Sequence, residues 1–141
     1  VSLTRLHVET RGPALHEITR RVGEWLAGIG AGDGVVTLFV RHTSCSLLIQ
    51  ENADPDVQRD LLAWLERIAP SADHPSMRWI THRAEGPDDM PAHLKAAVLP
   101  TSLHIPIERG RMLLGTWQGI YLVEHRLAPH RREVLASFQA G

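Results

Sequence analysis

The sequence predicts one α+β domain with antiparallel strands, spanning residues 1–141, and three observations lead there. Short alternating or β-branched apolar runs recur along the chain, at residues 2–10, 35–40, 102–107, 111–124 and 133–139, and read as strands. Two stretches, Leu15 to Ile29 and Val57 to Ile68, instead place apolar residues at helical spacing. The last three strands follow one another across short turns, which suggests an antiparallel meander.

Ser2 to Thr10 alternates, with Leu6 and Val8 on one face and Arg5, His7 and Glu9 on the other. Gly12-Pro13 breaks that strand and starts a helix whose stripe is Leu15, Ile18, Val22, Trp25, Leu26 and Ile29, with His16 on the solvated side. Gly32-Asp33-Gly34 is a turn, and Val35 to Val40 reads as a buried strand. Asp54-Pro55 caps a second helix, which Pro70 stops. Pro70 to Asp89 is a long irregular segment carrying His74 and His82, a length of loop that is usually functional or disordered. A short helix spans Pro91 to Leu99, then come strands at Ser102–Ile107, Arg111–Glu124 and Glu133–Gln139.

A net charge of −1 argues against a broad basic face for nucleic acid. No apolar run approaches the ~20 residues of a membrane helix, and Val1 to Thr10 has no hydrophobic signal core. The single cysteine, Cys45, excludes an internal disulfide or a cysteine zinc cluster and fits a reducing compartment. These readings point to the cytoplasm. Among fifteen basic residues only Lys95 is a lysine, which marks a position suited to a compact ammonium.

Polar residues concentrate in four places. Glu85-Gly86-Pro87-Asp88-Asp89-Met90-Pro91-Ala92-His93-Leu94-Lys95 holds three carboxylates, a histidine and the lysine, with Asp89 and His93 four apart across a helix start. Adjacent aspartates repel unless a cation or donors sit between them, and hard cations take carboxylate oxygens. His42-Thr43-Ser44-Cys45-Ser46 lies between apolar segments, so its polar groups bond one another or face a ligand. Cys45 points away from Ser44 and Ser46 and reads as core filler. Glu51 and Asn52 follow without a structural explanation. Finally, Gly115-Thr116-Trp117-Gln118-Gly119 interrupts a strand, and Glu124-His125-Arg126 closes it with an acid, a base and a cation. Thr116, Gln118, Glu124 and Arg126 share parity there.

These motifs, in this order and at these separations over nearly the whole chain, resemble the YjbQ family, small proteins described as secondary thiamine-phosphate synthases. In that family a His-Asp-Tyr-Glu-Gly string commonly precedes the double aspartate; this chain reads His82-Arg83-Ala84-Glu85-Gly86. The resemblance implies a compact fold with a β-sandwich-like core and outer helices. It also implies a homotrimer with the polar cluster near subunit boundaries, small phosphorylated substrates, and a divalent metal, zinc or magnesium, with no organic cofactor.

Three functions follow as expectations. The first joins an aminopyrimidine diphosphate to a thiazole phosphate with loss of diphosphate. Asp88 and Asp89 would hold Mg²⁺, Lys95 and Arg126 would meet phosphate oxygens, and Ser44, Asn52, Thr116 and Gln118 would bind substrate. His93 or His125 would move a proton, so Asp89, His93, Glu124 and His125 form the expected catalytic set. The second is a zinc-dependent hydrolase or lyase, with His42, His93 and His125 as ligands, an open position for water, and Glu124 as the general base or a partner that orients a ligand. The third is a non-enzymatic trimeric ligand-binding module whose polar cluster is a satisfied interface network.

Overall fold

Residues 2–141 are described by the computed structural model and form eight strands, three α-helices and one short 3-10 turn. The strands are β1 (Ser2–Thr10), β2 (Ala14–Glu17), β3 (Gly34–Val40), β4 (Cys45–Glu51), β5 (Ser102–Glu108), β6 (Arg111–Met112), β7 (Gln118–Glu124) and β8 (His130–Ala140). The helices are α1 (Thr19–Gly28), α2 (Pro55–Ile68) and α3 (Asp89–Val98), with the 3-10 turn at Pro75–Met77. A five-stranded sheet runs β1-β8-β3-β5-β6 and a three-stranded sheet runs β2-β7-β4. Every strand pairing is antiparallel, and residues of both sheets share one core, giving the single antiparallel α+β domain that the sequence predicts.

Burial follows from which faces are covered. In β3, Val36, Leu38 and Val40 point into the core, as do Val134, Ala136 and Phe138 of the neighbouring β8. Val35 and Phe39 point out, at 41% and 42% exposure, so β3 is half-buried and not the fully buried strand its unbroken apolar run predicts. Nothing from the described chain covers that outer face. The smaller sheet is covered twice. Ile120 and Leu122 of β7 enter the main core with Val22 and Leu26 of α1, whereas Tyr121 and Val123 pack against Leu65 of α2. An apolar residue at every position of a strand is what two covered faces require.

Three boundaries differ from the sequence reading. The segment after Gly12-Pro13 is first a strand: Leu15 pairs with Val123 and His16 with Leu122, and the helix begins only at Thr19. β7 would otherwise leave a row of backbone groups unpaired on that side, and pairing outweighs helical spacing. His16 is accordingly half-buried, with Nε2 lacking a partner among the described residues, rather than solvated. The single long strand at 111–124 is two strands in different sheets. β6 turns back on β5 through Arg109 and Gly110, whose φ values of +51° and +79° suit a tight hairpin. The chain then crosses over through Leu113–Trp117, where the Gln118 side chain accepts the Gly115 N–H at 2.8 Å. The expected meander is therefore absent, because β7 lies in the second sheet and β8 returns to the first.

The two other helices form as their caps dictate. Asp54 accepts the Asp56 N–H at 2.9 Å ahead of Pro55. α3 starts at Asp89, two residues ahead of Pro91. The 70–89 segment is ordered by a small cluster of its own, Ala72, Met77 and Ile80 with Met90 and Leu94 against it. Arg83, the family departure, donates to the carbonyls of Ile80, Ala72 and Met77 and so ties that loop together. None of the helices is long and apolar enough to cross a membrane.

Candidate functional site

One end of the smaller sheet collects the chemistry. There β7 ends at Glu124, β4 begins at Cys45, and α3 begins at Asp89. Glu124 is fully buried and paired with Arg132, which is 4% exposed. Arg132 donates to both Glu124 oxygens, at 2.8 and 2.5 Å, and to the carbonyl and hydroxyl of Ser44, at 3.1 and 2.9 Å. Thr10 donates to Oε1 at 2.5 Å, and Oε2 accepts the N–H groups of His125 and Arg126. Burial pushes the Glu124 carboxyl up, but Arg132 and Thr10 outweigh it and hold it below its ordinary value. Glu124 and Ser44 therefore belong to a closed ion-pair network.

Arg126 leaves that network and clamps the double aspartate. Its Nε donates to Asp88 Oδ2 at 2.9 Å and its Nη1 to Asp89 Oδ1 at 2.6 Å, while Nη2 reaches the Glu85 carbonyl. The Leu127 N–H also binds Asp88 Oδ2. The guanidinium is thus the cation that lets two adjacent carboxylates coexist.

The other oxygen of Asp89 faces two imidazoles. His82 Nε2 lies 2.7 Å and His93 Nε2 3.0 Å from Oδ2, and Glu85 approaches His82 at 3.5 Å. Ligand atoms from His82, Glu85, Asp89 and His93 all fall within 4.8 Å of one another. Among the described residues this is the group of histidine, cysteine and carboxylate side chains with metal-ligand spacing. His93 Nδ1 is 2.8 Å from the Thr43 carbonyl, an acceptor only, so Nδ1 carries a proton, and Nε2, which meets Asp89 Oδ2 at 3.0 Å, is the nitrogen that would take a metal on giving up its own proton. Burial raises the Asp89 carboxyl, yet bonds to His82 and Glu85 and the charges of His93 and Arg126 bring it below its ordinary value. The same bond to Asp89 raises His82.

Of the residues expected to bind metal, then, His93 of the zinc set and Asp89 of the magnesium pair sit in the cluster, and the others do not. His42 Nε2 accepts the Glu133 N–H at 3.0 Å, which occupies its lone pair. Asp88 is held by Arg126 and Leu127, and the buried His125 pairs with the Ser46 hydroxyl at 2.9 Å. Lys95, also buried, binds Glu66 at 3.0 Å. Asn52, Thr116 and Gln118 lie at the opposite end of β4 and β7, where Gln118 faces Glu51, while Glu124 faces Cys45. Six strand steps separate the two ends, about 20 Å. The shared parity of Thr116 with Gln118 and Glu124 has no structural meaning, because Thr116 lies outside β7.

Sequence reading left out His82, Glu85 and Arg132. His82 and Glu85 sit three apart, then Asp89 and His93 follow at intervals of four, a ligand series partly hidden in a loop. Arg132 had no local signal beyond the need of a buried Glu124 for a cation.

The family described as "UPF0047 protein YjbQ-like" matches residues 4–141. The chain belongs to the YjbQ-like UPF0047 family. "UPF0047 protein sll1880" of Synechocystis is 48% identical over 130 residues, covering 92% of this chain and 86% of that one. "UPF0047 protein YjbQ" of Escherichia coli O157:H7 is 38% identical, over 95% of this chain and 93% of its own. A crystal structure from Clostridium acetobutylicum, described as an uncharacterized conserved protein of the YjbQ/UPF0047 family, shares 34% identity. It superposes with a TM-score of 0.85 over 96% of this chain and 99% of that one. These findings correct the first functional expectation. The YjbQ-like relatives are described without an activity, none as a thiamine-phosphate synthase, so that reaction does not carry over to this chain. In the structure Arg126 bridges Asp88 Oδ2 and Asp89 Oδ1, leaving Asp89 Oδ2 to the histidines, and Glu66 pairs with Lys95.

His125 has a consequence for stability. Burial, and then the charge of Lys95, push its imidazole down to about 4 from an unfolded value of 6.5. The folded protein keeps the ring neutral while the unfolded chain takes a proton, so its contribution is intact above pH 6.5 and is lost as pH falls toward 4. The full effect is roughly 3 kcal/mol. Urea unfolding at pH 7 and pH 4.5 is expected to show a steeper loss for wild type than for His125→Gln. Equal losses would mean that the ring is charged or hydrated in the folded state.

Proposed function

We propose that the protein is a metal-binding module that holds a divalent transition ion at His82, Asp89 and His93, with Glu85 beside them. The observation that carries this reading is the convergence of two imidazoles on one buried carboxylate oxygen, with the His93 tautomer fixed by the Thr43 carbonyl. Two imidazoles with carboxylates favour zinc, iron or nickel over magnesium, which prefers oxygen ligands alone. Arg126 supports the set by holding the non-ligating oxygen of Asp89, the kind of outer partner that orients a ligand.

The ion would face a ligand as well as the protein. His82 and Glu85 are exposed, and a shallow pocket of about 240 Å³ beside His82 is walled by Trp79, Ile80 and Met90. A second pocket, of about 270 Å³, opens beside His93 between Thr43 and Thr101. The module reading takes these as space for a small ligand reaching the ion. The homotrimer that the resemblance implies would have its contact on the outer face of the large sheet, where Leu3, Val35 and Phe39 are exposed, and not at the polar cluster as expected.

Zinc titration with a competing chelator tests the metal. One tightly held ion per chain is expected, with the ring signals of His82 and His93 shifting together. Asp89 bonding raises the His82 proton affinity, so zinc must displace a proton and affinity is expected to fall at lower pH. No stoichiometric zinc, or shifts confined to other histidines, would sink the reading.

A further inference from the structure

On the other side of the α3 start lies a cavity of about 70 Å³, lined among others by Glu66, Ser71, Asp88, Pro91, Lys95 and His125. That is room for about two waters, or for one compact anion once Glu66 withdraws. Two of its polar side chains are more than nine-tenths buried, Lys95 at 6% exposure and His125 at 3%. An ammonium has three donors, and among the described residues Nζ of Lys95 bonds only Glu66. His125 has Nε2 engaged by Ser46, and its Nδ1 makes no bond among the described residues. A nearly enclosed ammonium with spare donors, beside a ring nitrogen that opens on the cavity, favours an acceptor placed between them.

We infer that this cavity is a binding site for a compact oxyanion, a carboxylate or a phosphate, which takes the place of the Glu66 carboxylate on Lys95. Lys95 supplies the charge, His125 donates from Nδ1–H in the tautomer whose Nε2 accepts the Ser46 hydroxyl, and Ser71 adds a hydroxyl at the wall. Asp88 also lines the cavity, but its carboxylate is held by Arg126 and by the Leu127 N–H, so its charge is compensated. Glu66 reaches in from α2 with its side chain 62% exposed, and among the described residues only Lys95 holds its carboxylate. Its swing into solvent is therefore inexpensive, and Glu66 acts as a tethered competitor for any incoming anion. The chain's one lysine stands where a three-donor point charge on a flexible stem can serve either partner.

Anion binding at Lys95 is independent of the metal. Metal-stripped protein is titrated with sodium acetate and, separately, sodium phosphate, following the His125 ring and Lys95 ammonium signals by NMR. Either anion is expected to shift both groups saturably, and whichever does identifies the source. Glu66→Gln, an exposed substitution, should tighten binding about tenfold by removing the competitor. Lys95→Met should abolish it. The inference is overturned if neither anion moves the His125 signals in wild type or Glu66→Gln, or if a folded Lys95→Met binds as wild type does.

Discussion

Asp89→Asn is expected to weaken zinc binding by more than about 100-fold, beyond what loss of an outer-shell partner costs. Asp89 Oδ2 lies within 3.0 Å of both His82 and His93, and among the described residues no other side chain bonds both rings. Its side chain is 3% exposed, which makes its negative charge, held ionised by His82 and Arg126, a strong field at short range. An amide of the same shape keeps the geometry but supplies no charge to the ion. The fold should survive the change. Met90 and Leu94 still pack α3 against the Ala72–Met77–Ile80 cluster, and Arg126 keeps Asp88 and the Glu85 carbonyl. Chelator competition measures the affinity and circular dichroism the fold. Unchanged zinc affinity in a folded variant would remove Asp89 from the site and, with it, the proposed centre.

What the sequence made legible follows from the range over which each signal acts. The Asp54-Pro55 cap and the alternation of β1 are local, and the structure has them where expected. So is the pairing of Asp89 with His93 one helical turn on. The failures are non-local. Whether Leu15 and His16 join a helix or a strand depends on the empty edge of β7, more than 100 residues away. The run from 111 to 124 looks continuous, but it is split because its halves fit different sheets. The expected site residues scattered for the same reason. Strand parity placed Thr116 with Glu124, whereas antiparallel pairing puts Gln118 beside Glu51 and Glu124 beside Cys45, at opposite ends. His82 was visible as a residue but not as a ligand, since only the folded 70–89 loop, tied by Arg83, brings it to Asp89.

Removing the carboxylate at the centre of the buried network should cost more stability than any other single change considered. Glu124→Leu leaves Arg132, 4% exposed, with a full charge and only the Ser44 oxygens to meet it. Breaking one side of such a pair costs about 3–5 kcal/mol, whereas replacing both partners by apolar groups is often near neutral. The double variant Glu124→Leu/Arg132→Met is therefore expected to recover most of the urea midpoint lost by the single one. The carboxyl value of Glu124 is lowered on folding, so the pair's contribution is present above its unfolded value of 4.5 and fades as pH falls through the folded one. The network also aims the site. Glu124 Oε2 accepts the N–H groups of His125 and Arg126, setting the direction in which Arg126 leaves the strand toward Asp88 and Asp89. Stability and metal affinity should then part company in the double variant: the midpoint returns, but zinc binding stays weaker than wild type because the backbone anchor of Arg126 is gone. Recovery of both would mean that Arg126 is positioned by the aspartates alone. Failure to recover the midpoint would mean that Glu124 and Arg132 contribute more to the core than their mutual charge.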